Sequence, residues 1–395
     1  MRRGLEYART LTGVLFSAVV LMSASGAEPV VPGPVTVAQL EHMLSAAHGE
    51  QDKKLAREIS GMQLTERLSL SELARLENDL PGPHARAALT AIADASAFLM
   101  PPTAEIPVLA APDRQAVVQM VAQALDYVIR IRPKLPDFSA RRNTTHFEVT
   151  TPQRILHEHQ QFQFLQMEDT SLQLHQLGPV SETRATGVRL FLVGNWTEVV
   201  TYRDGKEVKS TSDQNSRGTN TPAVGLTTSG EFGPILSVAM GDAARGEMKW
   251  DHWEQGTAGA LAVFRYSVPK DASHFAISER STDWLGIALG DEYPAYHGEI
   301  VIDPTDGTVY RITMKAMPNE DETAEILVDY AATSIGGKSY VCPVRGVAIS
   351  VIPESNGTAR APDTPVDVYM NDIVFTNYHL FRSESRIILD GKADQ

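Results

Sequence analysis

The stretch HGEIVIDPTDGTVYRITMK, residues 297–315, decides how the second half of this chain folds. Apolar and polar residues alternate before and after the segment DPTDG at 303–307, and this period of two is typical of β-strands. In the segment itself, Pro304 presets φ, the Asp side chains can accept hydrogen bonds from nearby amides, and Gly307 tolerates a positive φ. The stretch therefore predicts a β-hairpin.

The DPTDG segment also has the acidic content of a calcium loop. An EF-hand loop, however, needs acidic or amide side chains at alternating positions, followed by Gly and then Glu. Pro304 and Thr305 break that spacing. We therefore predict a plain turn, and we assign neither a metal nor a cofactor to the chain.

Most of the region 135–390 has the same period of two. Asp204 and Gly205 mark a second hairpin tip, and GALAVFRYSVP at 259–269 alternates like a strand. The apolar side of GEFGPILSVAMGDAARG predicts one inserted helix near 231–245. Further strands are predicted at 187–193, 249–254, 325–330, 339–353 and 372–389.

The region before it has a helical period instead. Thr36 with Gln39, and Ser69 with Glu72, have the spacing of a capping box. These patterns predict a helical domain over 28–111 and a connecting amphipathic helix over 112–134. The fold class that follows is α+β, an all-helical N-terminal domain before a large antiparallel sheet, with a tail at 391–395.

Residues 1–27 have the three parts of a secretory signal peptide: arginines, a short apolar run and small residues. We predict a Sec-type signal and a periplasmic or secreted protein. The only Cys, Cys342, lies far from the cleavage site, so a lipobox is not expected, and its apolar setting predicts a buried thiol. No later stretch is long and apolar enough to predict a transmembrane span in the mature chain.

The formal charge of −14 argues against nucleic acid as a partner, because phosphate binding needs clustered Lys and Arg. His157 and His159 are the clearest candidates for metal ligands, since side chains two apart on a strand point the same way. They lack the helical i, i+4 spacing of zinc proteases. Solvated histidines are the favoured interpretation, and a hydrolase or metalloenzyme at this position is kept as an alternative.

The segment KWDHW at 249–253 places Trp250 and Trp253 on opposite faces of a regular strand. One face of the predicted sheet packs inward, so one of the two indoles needs another cover. The helix near 231–245 is the favoured cover, and a ligand is the alternative.

Five longer stretches carry a family resemblance: 64–102, LPDFSARRNTTHFE at 135–148, SGEFGPIL at 229–236, the pair WDHWEQG and AVFRYSVP, and YHGEIVIDPTDGTVYRI at 296–312. Together they resemble a family of exported bacterial proteins of unknown function. That resemblance implies export and brings no established activity.

The second half of the chain, with many antiparallel strands around one helix, is similar to the LolA/RseB-like half-barrel proteins. This group includes lipoprotein carriers and envelope sensors, and the resemblance implies a curved β half-barrel whose apolar groove is covered by the inserted helix. We therefore expect an exported, non-enzymatic binding protein that holds a lipid, an acyl chain or an apolar segment. The expected ligand-binding residues are Trp250, Trp253, Phe264, Tyr266, Ile235 and Met240. The alternative is an envelope protein–protein interaction module without a ligand.

Overall fold

The computed structural model describes residues 34–131, 134–149, 190–209, 225–226, 228, 230–277, 293–318, 322–353 and 366–381. Their fold is α+β, as the sequence predicts, and its centre is one antiparallel sheet of ten strands in the order β3-β2-β1-β10-β9-β8-β7-β6-β5-β4. The strands are β1 (Phe138–Val149), β2 (Phe191–Arg203), β3 (Lys206–Lys209), β4 (Glu247–Gln255), β5 (Ala260–Val268), β6 (Tyr296–Ile302), β7 (Val309–Ala316), β8 (Thr323–Ile335), β9 (Lys338–Pro353) and β10 (Val366–Leu380).

Six α-helices accompany the sheet in the described part of the chain. They are α1 (Val37–Ala46), α2 (Asp52–Ser60), α3 (Leu70–Asn78), α4 (Pro83–Ala95), α5 (Arg114–Ile131) and α6 (Pro234–Arg245). Short 3₁₀ turns lie at Thr103–Glu105 and Lys270–Ala272. Of these helices, not one combines the length and the hydropathy that a bilayer span requires.

The predicted capping boxes have different outcomes. At α1 the prediction is confirmed, since the Thr36 hydroxyl accepts from the Gln39 amide and the Gln39 side chain accepts from the Thr36 amide. At α3 it is wrong, because the Ser69 side chain makes no capping hydrogen bond. The Ser69 hydroxyl lies 3.2 Å from that of Ser71 instead.

Strand connections are local over most of the sheet. Strands β4 to β10 are antiparallel neighbours in chain order, which includes the predicted hairpin of β6 and β7. The exception is β1, which pairs with β10 on one side and with β2 on the other. The hairpin of β2 and β3 turns at Asp204 and Gly205, as predicted.

The sheet buries apolar side chains on both faces. One face, here the α6 face, carries Phe264, Ile300 and Ile312 and is covered by α5 and α6. The opposite face, here the α4 face, carries Leu327, Val347 and Ile349 and packs against Ala91 of α4 and against Ala97, two residues after that helix ends. A sheet apolar on both sides needs a helical layer on each.

Buried charges join α4 to its face of the sheet. Arg345 on β9 forms an ion pair with Asp94 of α4, and it lies 3.8 Å from Asp329 and 3.9 Å from Asp372. Burial raises the pKa of Asp94 and that of Asp372. The guanidinium of Arg345 lowers both pKa values, but by less than burial raises them. This cluster therefore favours fewer than three ionised carboxylates.

A second buried ion network lies on the same face. Glu254 on β4 accepts from Arg311 at 2.7 Å and from Arg67, in the α2–α3 connection, at 2.8 Å. Burial on its own would raise the pKa of Glu254, but Arg311, His252 and Arg67 hold it well below its usual range. The ionised carboxylate of Glu254 is thus the form that joins the N-terminal helices to the sheet through Arg67.

The DPTDG segment is a turn, as predicted. The Gly307 amide donates to the Asp303 carbonyl at 3.0 Å, and the Asp303 side chain accepts from the Thr305 amide at 2.8 Å. Gly307 has a φ of +78°, and α5 crosses it so closely that a Cβ would collide with the Gln123 carbonyl. The backbone of α5 therefore packs directly against this turn.

Replacing Gly307 with Ala should lower the free energy of unfolding by about 2–4 kcal/mol. A positive φ costs an ordinary residue roughly 1–2 kcal/mol, and the new methyl group would push α5 off the turn. Chemical denaturation with circular dichroism measures the change.

The matched control is Gly205→Ala. Gly205 has a similar φ of +74°, but a Cβ there would meet no atom within 4 Å. Gly205→Ala should therefore lower the free energy of unfolding only by the cost of the positive φ, about 1–2 kcal/mol. Equal losses in the two variants would contradict the close seating of α5.

Candidate functional site

Helix α6 presents one apolar side to the sheet. Pro234 occupies its first turn, where a missing amide costs nothing. Its buried positions follow the helical period, so the predicted apolar side is confirmed. Five of them are apolar, Ile235, Leu236, Ala239, Met240 and Ala243, and the sixth is Asp242.

Four of the six predicted ligand-binding residues meet beneath this helix. Phe264 and Tyr266 on β5 lie in the same apolar cluster as Ile235 and Met240 of α6. Phe264 and Met240 have an exposed fraction of 0%. The structure thus brings these four side chains together, inside a layer that α6 closes.

The two Trp residues correct the prediction of opposite faces. The register between β4 and β5 shifts at Asp251, so that Trp250 pairs with Phe264 and Trp253 with Ala262. Phe264 and Ala262 are two apart on a regular strand and share a face. This β-bulge puts both indoles on the α6 face, where their rings lie 6.0 Å apart, edge to face.

Trp253 also holds the connection between the helical layers. Its indole N–H donates to the Ala110 carbonyl at 3.0 Å. Ala110 lies in the segment that leads from the α4 side of the sheet to α5. Because β4 is an edge strand of the sheet that the described residues form, this bond fixes where the chain passes around that edge.

Helix α5 completes the apolar cover. Met120, Ala124 and Val128 are buried in the same cluster as Phe264. Val117, Val121 and Leu125 are partly buried against it, as expected for the amphipathic helix that the sequence predicts here. The α6 face is therefore enclosed by two helices that approach from different parts of the chain.

A buried carboxylate fixes the C-terminal end of α6. The Asp242 side chain accepts from the Tyr296 hydroxyl and from the His274 amide, both at 2.8 Å, and it lies 2.7 Å from Nδ1 of His274. Arg245 also donates to it, at 3.1 Å. Asp242 is fully buried, so these polar bonds compensate its loss of water. They hold the helix against β6.

Hydrogen bonds from several strands fix the segment before α6, here the pre-helix segment (225–226, 228 and 230–232). The Ser350 hydroxyl accepts from the Leu226 amide at 3.1 Å, and the Asn371 amide group donates to the Leu226 carbonyl at 2.9 Å. The Tyr330 hydroxyl donates to the Glu231 carbonyl at 3.3 Å. The pre-helix segment thus extends the cover across β8, β9 and β10.

Unpartnered polar atoms surround the enclosed face. Six buried side-chain nitrogen and oxygen atoms there have no hydrogen-bond partner among the described residues. They are Gln123 Oε1, Tyr127 Oη, Trp250 Nε1, Arg142 Nε, Thr144 Oγ1 and Glu231 Oε2. A buried polar atom without a partner costs roughly 1–3 kcal/mol, and native proteins contain few of them. Two further such atoms, Asp94 Oδ2 and Arg311 Nε, belong to the ion networks of the α4 face, so most but not all of the unpartnered atoms border the α6 face. Buried polar atoms of this kind occur at sites that receive a polar ligand atom or water.

Sequence reasoning missed Asp242 and Arg142. For Asp242 the sequence contained a usable signal. It falls three residues after Ala239, on the apolar side of α6, and a charged residue at such a position needs buried hydrogen-bond partners. For Arg142 none existed, since FSARRNTTHFEV shows no apolar alternation that would reveal its inward face.

Other predicted chemistry has separate outcomes. His157 and His159 lie outside the described residues. His146 lies 2.7 Å from the Asn371 side chain and 2.8 Å from that of Glu148. Cys342 is buried, as predicted, and burial raises the pKa of its thiol to about 12.

Comparison of the chain with protein-family models, with curated proteins and with solved structures finds no match.

Replacing Asp242 with Asn should loosen α6 selectively. The amide nitrogen of Asn cannot accept, and hydrogen bonds to a charged group contribute about 1.5–3 kcal/mol. Hydrogen–deuterium exchange should therefore accelerate roughly tenfold or more at amides 238–245, while exchange in α4 stays unchanged.

Asp126→Asn is the control, because Asp126 lies on the exposed side of α5 and its one ion pair among the described residues is with Arg130 in the same helix. It should leave exchange in α6 as it is. Unchanged exchange of α6 in Asp242→Asn would show that the carboxylate does not hold this helix.

Proposed function

We propose that this chain is an exported, non-enzymatic binding protein that holds a lipid, an acyl chain or an apolar peptide segment on the α6 face. In this proposal the sheet is the curved half-barrel of a LolA/RseB-like protein, and α5 and α6 cover its groove. The signal peptide at 1–27, the periplasmic or secreted location and the role as carrier or envelope sensor belong to the same proposal.

The observation that carries it is the set of six unpartnered polar atoms around an apolar layer. An ordinary core would pair or exclude such atoms, because each destabilises the fold. An amphiphilic ligand would satisfy some of them with its polar end. Its chain would gain roughly 25 cal/mol per Å² of apolar surface removed from water.

Access to the layer requires the cover to move. Phe264 and Met240 are fully enclosed, so a ligand would replace contacts that α6 now makes with the sheet. Helix α6 is fixed by the polar bonds of Asp242 at one end and by the pre-helix segment at the other. Such a cover can lift without breaking the sheet, whose strands pair independently of it.

The same enclosure favours the alternative function. A face filled by the chain's own side chains is also what a fully packed core looks like. The protein would then be an envelope interaction module that binds a partner protein without an apolar ligand. Ligand binding therefore separates the two candidates.

The neutral fluorescent dye N-phenyl-1-naphthylamine tests the proposal, because it becomes bright in apolar sites. Saturable binding to the wild-type protein is expected. Ala239→Phe places a large ring beneath α6 and should weaken dye binding about tenfold or more, since it fills the space that a ligand needs.

Ala91→Phe is the matched control. Ala91 and Ala239 are both buried alanines within helices, on opposite faces of the sheet, and each change overpacks its layer at a cost of about 1–3 kcal/mol. Ala91→Phe should leave dye affinity unchanged. An absence of saturable binding to the wild type, or equal effects of the two variants, would favour the interaction module.

A further inference from the structure

We propose that Arg142, Thr144 and Glu231 form a subsite that binds the neutral polar end of an amphiphile, an amide or a hydroxyl group. This rests on the proposed function, because the apolar part of the same ligand would occupy the α6 face. The subsite would select against an anionic end group.

The guanidinium of Arg142 is held in place but incompletely paired. One of its terminal nitrogens, Nη2, donates to the Thr228 carbonyl at 2.8 Å and to the Thr228 hydroxyl at 3.1 Å. The other donates to Glu198 at 3.2 Å. Within the described part of the chain its Nε has no partner, although the residue is only 7% exposed. One donor of a fixed, buried group is therefore free.

An acceptor and a hydroxyl accompany that donor. The Oε1 atom of Glu231 accepts from the Thr228 hydroxyl and lies 3.4 Å from Arg142, whereas Oε2 has no partner among the residues that the structure describes. The same is true of the Thr144 hydroxyl. Thr144 and Arg142 point to the same side of β1, about 7 Å apart along the strand. Glu231 and Thr144 are 0% and 3% exposed. The three free atoms offer one donor, one acceptor and one group that is both.

The local charge decides the class of end group. Arg142 lies 3.4 Å from Glu231 and 3.2 Å from the partly exposed Glu198, so two carboxyl groups already surround the one guanidinium. A carboxylate or phosphate would lie beside the free oxygen of Glu231 and be repelled by it. An amide can donate to Glu231 and accept from Arg142 at the same time, and a hydroxyl can do the same. A neutral group thus fits the donor and acceptor pattern, and an anion does not.

The subsite is continuous with the apolar layer. Tyr330, whose hydroxyl donates to the Glu231 carbonyl, belongs to the buried cluster beneath α6. Leu226, in the same pre-helix segment as Glu231, belongs to it too. Glu231 itself lies three residues before the start of α6. One amphiphile can therefore reach both parts.

Two ligands with the same chain test the inference: dodecanamide and dodecanoate. Their affinities for the wild-type protein are measured at pH 8 by displacement of N-phenyl-1-naphthylamine, with the dodecanoate below its micelle concentration. We expect the amide to bind at least tenfold more tightly. Glu231→Gln removes the negative charge with little change in shape, so it should reduce this preference to within about threefold or reverse it.

Thr144→Val and Thr144→Ser form a second, conservative pair. Loss of a neutral hydrogen bond of about 1 kcal/mol corresponds to roughly fivefold weaker binding. Thr144→Val should therefore weaken dodecanamide about fivefold, and Thr144→Ser should restore wild-type affinity because it keeps the hydroxyl.

The outcomes separate this inference from the proposed function. If the dye and both ligands fail to bind the folded wild type, the proposed function fails and the subsite with it. If the dye binds but the two ligands displace it equally, or if Glu231→Gln leaves the preference unchanged, the subsite is wrong while the proposed function stands. The wild-type comparison needs no variant, so a misfolded variant cannot hide the result.

Discussion

The structure depends on one constraint: the ten-stranded sheet is apolar on both faces, and both must be kept from water. Phe264 lies on one face and its neighbour Val263 on the other, and both are completely buried. Antiparallel sheets more often leave one face to solvent. Here α4 covers one side and α5 with α6 the other, so the chain must pass around a sheet edge between them. The Trp253 bond to the Ala110 carbonyl holds that passage.

Different interactions hold the helices on the two faces of the sheet. On the α4 face, buried ion pairs join helix to sheet, with Asp94 on Arg345 and Arg67 on Glu254. Burying such ion pairs costs desolvation free energy. The helix cannot move far from the sheet, because separating a pair would leave an unpaired charge buried. On the α6 face the contacts between α6 and the sheet are apolar, and the polar bonds, which include the buried pair Arg142–Glu231 and the pair of Arg245 with the buried Asp242, lie before the helix and at its C-terminal end. Apolar contacts are not directional and can be exchanged for those of a ligand. In the proposed function the α4 face is accordingly the permanent joint, and the α6 face is the one whose cover opens.

The sequence predicted what depends on local periodicity. The hairpin around Gly307, the apolar side of α6 and the capping box at Thr36 each follow from residues within one or two turns of each other. Features that depend on register or on distant partners were not accessible. The β-bulge at Asp251 turns Trp253 to the face opposite to the predicted one. The segment KWDHW contains no sequence signal for a bulge. The inward face of Arg142 depends on Glu231, 89 positions later in the chain.

The central claim is that the α6 face is a binding site rather than a finished core. A native mass spectrum of the protein, purified without detergent from cells that produce it, tests this most directly. If the α6 face binds an amphiphile, the spectrum should show a reproducible non-covalent adduct of matching mass, which extraction with organic solvent should release as a neutral lipid or amide. A spectrum of the bare chain alone, together with no uptake of added dodecanamide, would mean that this face is a packed core.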